Sequence, residues 1–182
     1  MTMTLNRLTE IKQKNQELVM VRKLVASQAE EMAKHTAYRK QILVCGGTGC
    51  TSSNSRAIAD KLAEELKLNG LEEEVKIVMT GCFGLCALGP IMIVYPEGCF
   101  YSMVTPDDVP EIVSEHLLKG RIVERLVYND TGAKNETEEE VQVSLNDTTF
   151  YKKQKRVALR NCGVINPEEI DESIAMDGYF AL

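Results

Sequence analysis

Two short cysteine turns constrain this chain more than any other feature. Each follows directly on a run of strand-forming residues: Cys45 and Cys50 after "QILV", and Cys82 and Cys86 after "EEVKIVMT". Four residues separate the first two cysteines, three separate the second two, and thirty-one lie between the pairs. Buried β-strands followed by glycine-rich turns predict a sheet, and if the two strands run parallel, both pairs arrive at the same sheet edge. Four convergent thiolates suit an iron–sulfur cluster or a tetrahedral zinc ion. Glycines in "CGGTGC" and "GCFGLCALGP" let backbone N–H groups approach sulfur and stabilise the negative charge of a cluster. Cys50 falls near a helix N-terminus, which favours thiolate over thiol. Structural zinc and thiol–disulfide chemistry stay open on spacing alone.

The glycines also invite a phosphate-binding reading, which the letters reject. A P-loop needs a lysine after its second glycine, and none follows Gly49 here; the dinucleotide fingerprint G-x-G-x-x-G fails at Ser52. Neither cysteine pair has the C-x-x-C spacing of a thioredoxin-type dithiol. The other two of the six cysteines, Cys99 and Cys162, read as small core residues, and His35 and His116 as surface or packing residues. Glu136, Glu138, Glu139 and Glu140 read as solvated linker acids. A formal net charge of −6 argues against binding a nucleic-acid backbone. The opening "MTMTLNRLTEIKQKN" lacks the apolar core of a secretion signal, and no apolar run is long enough to span a membrane. A cytoplasmic location is therefore expected, with reduced cysteines available for metal binding.

Around the cysteine turns the pattern divides the chain in four. Residues 1–37 are expected to form one long amphipathic helix, since Leu5, Leu8, Ile11, Leu18, Val21, Val25 and Met32 recur at mostly three- and four-residue steps without Gly or Pro. Residues 38–125 alternate as β-α-β-β-β-α: "QILVC", a helix over "TSSNSRAIADKLAEELKLNG", "EEVKIVMT", a hairpin about "PEG", and a helix over "PDDVPEIVSEHLLKG". This order predicts an α/β domain, a mixed sheet with flanking helices as in thioredoxin-like folds. Residues 126–145 lose apolar periodicity and read as a flexible linker. In residues 146–182, "FYKKQKRVALRNCG" predicts a basic helix stopped by Gly163. "NPEEIDESIAMDG" predicts an Asn-capped helix with Pro167 at its first position. Two short helices cannot enclose a core of their own, so this tail is expected to begin a further domain.

The segment "ILVCGGTGC…GCFGLCALGP" resembles the thioredoxin-fold [2Fe-2S] ferredoxin domain of NADH dehydrogenases over about residues 38–125. The resemblance implies that Cys45, Cys50, Cys82 and Cys86 ligate a [2Fe-2S] cluster, two to each iron. The tail is similar to the beginning of the flavoprotein subunit of that superfamily, which carries FMN, binds NADH and holds a [4Fe-4S] cluster. A ferredoxin domain ahead of such a segment resembles the beta subunit of electron-bifurcating, NAD-dependent [FeFe]-hydrogenases. NAD-dependent formate dehydrogenases share much of this plan. The glycine-rich FMN loop, the NADH site and the further cluster cysteines are absent from these residues. FMN, [4Fe-4S] and NAD(H) are thus implied only for a missing remainder, and this chain is expected to transfer electrons rather than oxidise NADH itself. The implied partners are the other subunits of a hydrogenase or NADH dehydrogenase-type complex, with ferredoxin a further candidate. A zinc-stabilised interaction domain is the rival from another class.

Overall fold

In the computed structural model, residues 4–129, 145 and 148–181 are described. The sheet has four strands in the order β2-β1-β3-β4, with β1 at Lys40–Cys45, β2 at Val75–Thr80, β3 at Met92–Tyr95 and β4 at Cys99–Tyr101. Strands β1 and β2 are parallel and in register from Lys40 opposite Val75 to Cys45 opposite Thr80. The expected convergence follows directly: both cysteine turns leave the same edge of the sheet. Strand β3 pairs antiparallel with β1, and the "PEG" hairpin returns it to β4.

Both faces of β1 are covered, which explains its unbroken apolar run. Ile42 and Val44 point into one cluster with Ile58, Leu62, Leu66, Val94 and Ile112. Leu43 and Cys45 point into the other, with Cys50, Val78, Phe83, Ile93, Phe100, Ala29 and Ala33. Helix α4 (Ser55–Leu68) contributes Ile58, Leu62 and Leu66 to the first cluster, one stripe at helical spacing. The predicted helix over 51–70 is broken in two. Helix α3 (Thr48–Ser52) contains Cys50, and Asn54, at φ 69°, turns the chain into α4. The helix after β4 starts on a capping box between Thr105 and Asp108 and is α-helical at α5 (Val109–Glu111). It then continues with π-helical spacing over Ile112–Leu118.

The single helix expected over the N-terminal segment is corrected to two, α1 (Leu5–Met20) and α2 (Ala26–Ala33). No Gly or Pro marks the break; its cause is tertiary. Arg22, which helical period alone would leave on a polar face, is 2% exposed because its guanidinium is drawn inward. Val25 adopts an extended conformation, and α2 starts afresh against the second cluster. The linker, with its four named glutamates, lies largely outside the described residues.

The basic helix expected in the tail is also corrected. Only α6 (Thr149–Lys152) is helical, and turns occupy most of the chain as far as α7 (Ile170–Ala175). Helix propagation fails because Val157 and Leu159 find no face to bury, at 69% and 59% exposed, while Arg156 folds back onto Tyr151 and the carbonyl of Cys162. Asn166 caps a turn by accepting from the Glu168 N–H, and α7 starts after Glu169, one turn later than its sequence signal.

The tail packs on the thioredoxin-like body. Helix α7 lies against α1, and Ile174 and Ala175 are buried. At its centre Arg22 and Glu172 form a bidentate ion pair, Nη1 to Oε2 at 2.6 Å and Nη2 to Oε1 at 2.9 Å, with side chains 0% and 1% exposed. Arg22 also donates to Gln41 of β1 and to the Val164 carbonyl, while Lys76 of β2 donates to Glu169 and Glu172. Burial alone would raise the Glu172 pKa, but Arg22, the Asn166 N–H and Lys76 together hold it down at about 2. No helix among the described residues is long and apolar enough to cross a membrane.

Candidate metal centre

Cys45 ends β1, and Cys50 sits on the first turns of α3, so the fixed end of a central strand positions the first pair. The second pair belongs to the loop after β2, with Cys86 opening a 3-10 turn over Cys86–Leu88. The pairs differ in exposure: Cys45 and Cys50 are buried, Cys82 is half-buried and Cys86 is exposed. Within each pair the thiols are in hydrogen-bonding reach, and Cys86 also feels the charge of Cys45. Among the described residues no three Cys, His, Asp or Glu side chains surround a point where one ion could sit. The thiols lie in two pairs, the donor set that a two-iron cluster takes, two thiolates to each iron.

Glycines shape the space between the pairs. A Cβ on Gly47 would stand 2.9 Å from the Cys82 Cβ and 3.0 Å from its Sγ, and one on Gly89 would stand 2.7 Å from the Cys50 Sγ. A Cβ at either position would fill the cradle. Backbone donors point at the sulfurs as the composition of the turns predicts: the N–H groups of Phe83 and Gly47 reach Cys45, and Gly84 donates to the Cys82 Sγ at 3.3 Å. Burial pushes the Cys45 thiol up to about 12, against these donors. Neighbouring Cys82 raises the Cys86 thiol. A thiol buried like Cys45 gains most from a cationic centre that takes its proton's place, because it removes the cost of burying a bare thiolate.

The remaining candidates fall elsewhere. Cys99 is buried in β4, as a core residue. Cys162 is half-buried, not on a helix, and its Sγ lies where it would meet a Cβ on Gly81 at 3.2 Å. His116 is a packing residue: its Nδ1 lies 2.7 Å from the Tyr101 hydroxyl, which also accepts from the Val123 N–H. Sequence reasoning missed the tail's contribution to the cysteine loop. Tyr151 donates its hydroxyl to the Phe83 carbonyl, Gly163 packs on the Phe83 ring, and Thr80 donates to the Ile165 carbonyl. An aromatic residue on a short basic segment carries no signal of such a partner 68 positions away.

The chain is similar in sequence to known iron–sulfur proteins. The family model described as "Thioredoxin-like [2Fe-2S] ferredoxin" matches residues 23–117, more than half of the chain. A 2Fe-2S ferredoxin of Clostridium pasteurianum is 51% identical over 77 residues, covering 42% of this chain and 76% of that protein. The solved thioredoxin-like [2Fe-2S] ferredoxin of Aquifex aeolicus is 36% identical, covers 50% of this chain and 91% of its own, and superposes with a TM-score of 0.46. The NADP-reducing hydrogenase subunit HndC of Solidesulfovibrio fructosivorans is 60% identical over 35 residues, 19% of this chain and 7% of that protein. With its paired cysteines at one edge of a mixed sheet and a family match across the body that carries them, the chain belongs to the thioredoxin-like [2Fe-2S] ferredoxins, electron-transfer domains that carry a [2Fe-2S] cluster.

Proposed function

We propose that Cys45, Cys50, Cys82 and Cys86 hold the cluster, two to each iron, and that the chain serves as the electron-transfer module of an NADH-linked, hydrogenase-type complex. The observation that carries the ligand assignment is the parallel register of β1 and β2, which delivers both pairs to one sheet edge. When bound, the cluster supplies a one-electron carrier. The chain's own residues do the rest. Cys45 and Cys50 anchor the inner side within the second apolar cluster and exclude water from it. Cys82 and Cys86 bring the outer side to the surface, where a donor or acceptor can approach. The N–H groups of Gly47, Phe83 and Gly84 meet the sulfurs' negative charge.

Likeness to the NADP-reducing hydrogenase subunit HndC over 35 residues supports a place among the subunits of a hydrogenase. The setting proposed with it is cytoplasmic, between a flavin site that handles NAD(H) and a second one-electron partner such as ferredoxin. Coupling of NADH, ferredoxin and hydrogen by electron bifurcation is the finer form of this reading; an NAD-dependent formate dehydrogenase is the alternative setting. Residues 146–182 are proposed as the beginning of the flavoprotein domain. Anaerobic purification tests the core of it. Expected are a brown protein with two iron and two sulfide per chain and an EPR signal on reduction, lost when Cys45 or Cys50 becomes Ala. A colourless protein binding one zinc through the same cysteines would overturn the assignment.

A further inference from the structure

The tail beyond the family match touches the cysteine loop, and two of its contacts converge on one residue, Phe83. Phe83 is 1% exposed, and a Cβ on Gly163, whose φ is +79°, would lie 2.6 Å from its ring, so a residue with a side chain cannot take Gly163's place. The ring is thereby fixed, and with it the peptide that joins Phe83 to Gly84. At the carbonyl end of that peptide, Tyr151 donates its hydroxyl. At the nitrogen end, Gly84 donates to the Cys82 Sγ at 3.3 Å, in a turn that its φ of +86° reserves for glycine. Behind Tyr151, the Arg156 Nη1 donates to the phenol oxygen at 3.0 Å, and the guanidinium stands 5.2 Å from the ring centroid.

We infer that Tyr151 is a positioning residue for the cluster, acting through a relay that runs from the Arg156 guanidinium to the Tyr151 hydroxyl, the Phe83–Gly84 peptide and the Cys82 sulfur. Hydrogen bonds in series polarise one another. A donor on the Phe83 carbonyl makes the Gly84 N–H a stronger donor, and a stronger donor on a ligand sulfur favours the more negative, reduced cluster. Arg156 in turn polarises the phenol. Burial raises the Tyr151 pKa, so the hydroxyl keeps the proton that it donates. All the groups ahead of the peptide lie outside residues 23–117, so the tail adds to this chain a control over potential that the matched domain does not itself supply.

The inference rests on Cys82 being a ligand, and the experiment separates the two. In the full chain, purified anaerobically, Cys82→Ala is expected to lose iron or change its EPR spectrum. If it keeps both irons and an unaltered spectrum, the ligand reading fails and the relay with it. Tyr151→Phe keeps the ring and is expected to retain two irons while its midpoint, in an EPR-monitored redox titration, shifts negative, with about threefold less reduced cluster at a fixed poise. 3-Fluorotyrosine placed at position 151 has a more acidic hydroxyl and is expected to shift the midpoint the other way. A structural role alone would not produce opposite signs. Intact clusters with an unshifted midpoint in both proteins would overturn the relay. Should Tyr151→Phe lose iron, the fluorotyrosine protein decides.

Discussion

At the scale of single residues, the least conspicuous positions around the centre are the most exacting. Gly89→Ala would drive a Cβ to 2.7 Å from the Cys50 sulfur, so the variant is expected to bind less than half the iron of the parent on anaerobic reconstitution, with the sheet unchanged by far-UV circular dichroism. The convergence of the two cysteine turns and the glycines packed beside them were legible in the sequence, because spacing and strand-forming runs are local. Zinc and dithiol chemistry could not be dismissed from spacing, and family membership decided that point. His116 was legible only as a packing residue. Burial, then Lys40, pushes it down to about 4, with Glu97 a partial offset. A depressed histidine binds its proton in the unfolded chain first, so stability is complete above about pH 6.5 and falls as the pH drops toward 4, by about 3 kcal/mol. His116→Gln is expected to flatten that limb in urea titrations across pH, whatever it does to the plateau.

The elements show where sequence periodicity stops being informative. The strands of the sheet were readable because apolar runs bounded by turn residues need only their own neighbours to declare them. The break between α1 and α2 was not, because it follows from Arg22 meeting a carboxylate 150 positions away. An arginine in a helical pattern reads as surface unless its partner is known. Breaking this pair tests its weight: Glu172→Gln strands a buried guanidinium and is expected to cost about 3 to 5 kcal/mol in chemical denaturation. Glu172, held at about 2, contributes stability that is complete above about pH 4.5 and is lost as the pH falls through 2. The same variant should therefore lose the lower acid limb while keeping the His116 limb.

For the molecule as a whole, the parts join around one sheet edge. Helix α1 packs on α7, the tail reaches back to β2 directly and to β1 through Arg22, and its turn at Cys162 and Gly163 closes on the cysteine loop. A chain cut after Asn129 is expected to retain the sheet yet lose its visible absorbance severalfold faster in air than the full chain, because Phe83 and the loop around it become accessible. Equal bleaching rates would show that the tail gives no shelter. The ion pair at Arg22 and Glu172 also sets an order of events. During synthesis the four cysteines and the whole sheet, which ends at Tyr101, emerge before Glu172, by roughly 4 to 14 s at ordinary elongation rates. The body can fold in that interval with its loop uncovered, and a segment synthesised later closes it. Until the turn at Cys162 and Gly163 docks, the cysteine loop stays open to iron and sulfide, and the pairing of Glu172 with Arg22 then holds that turn in place.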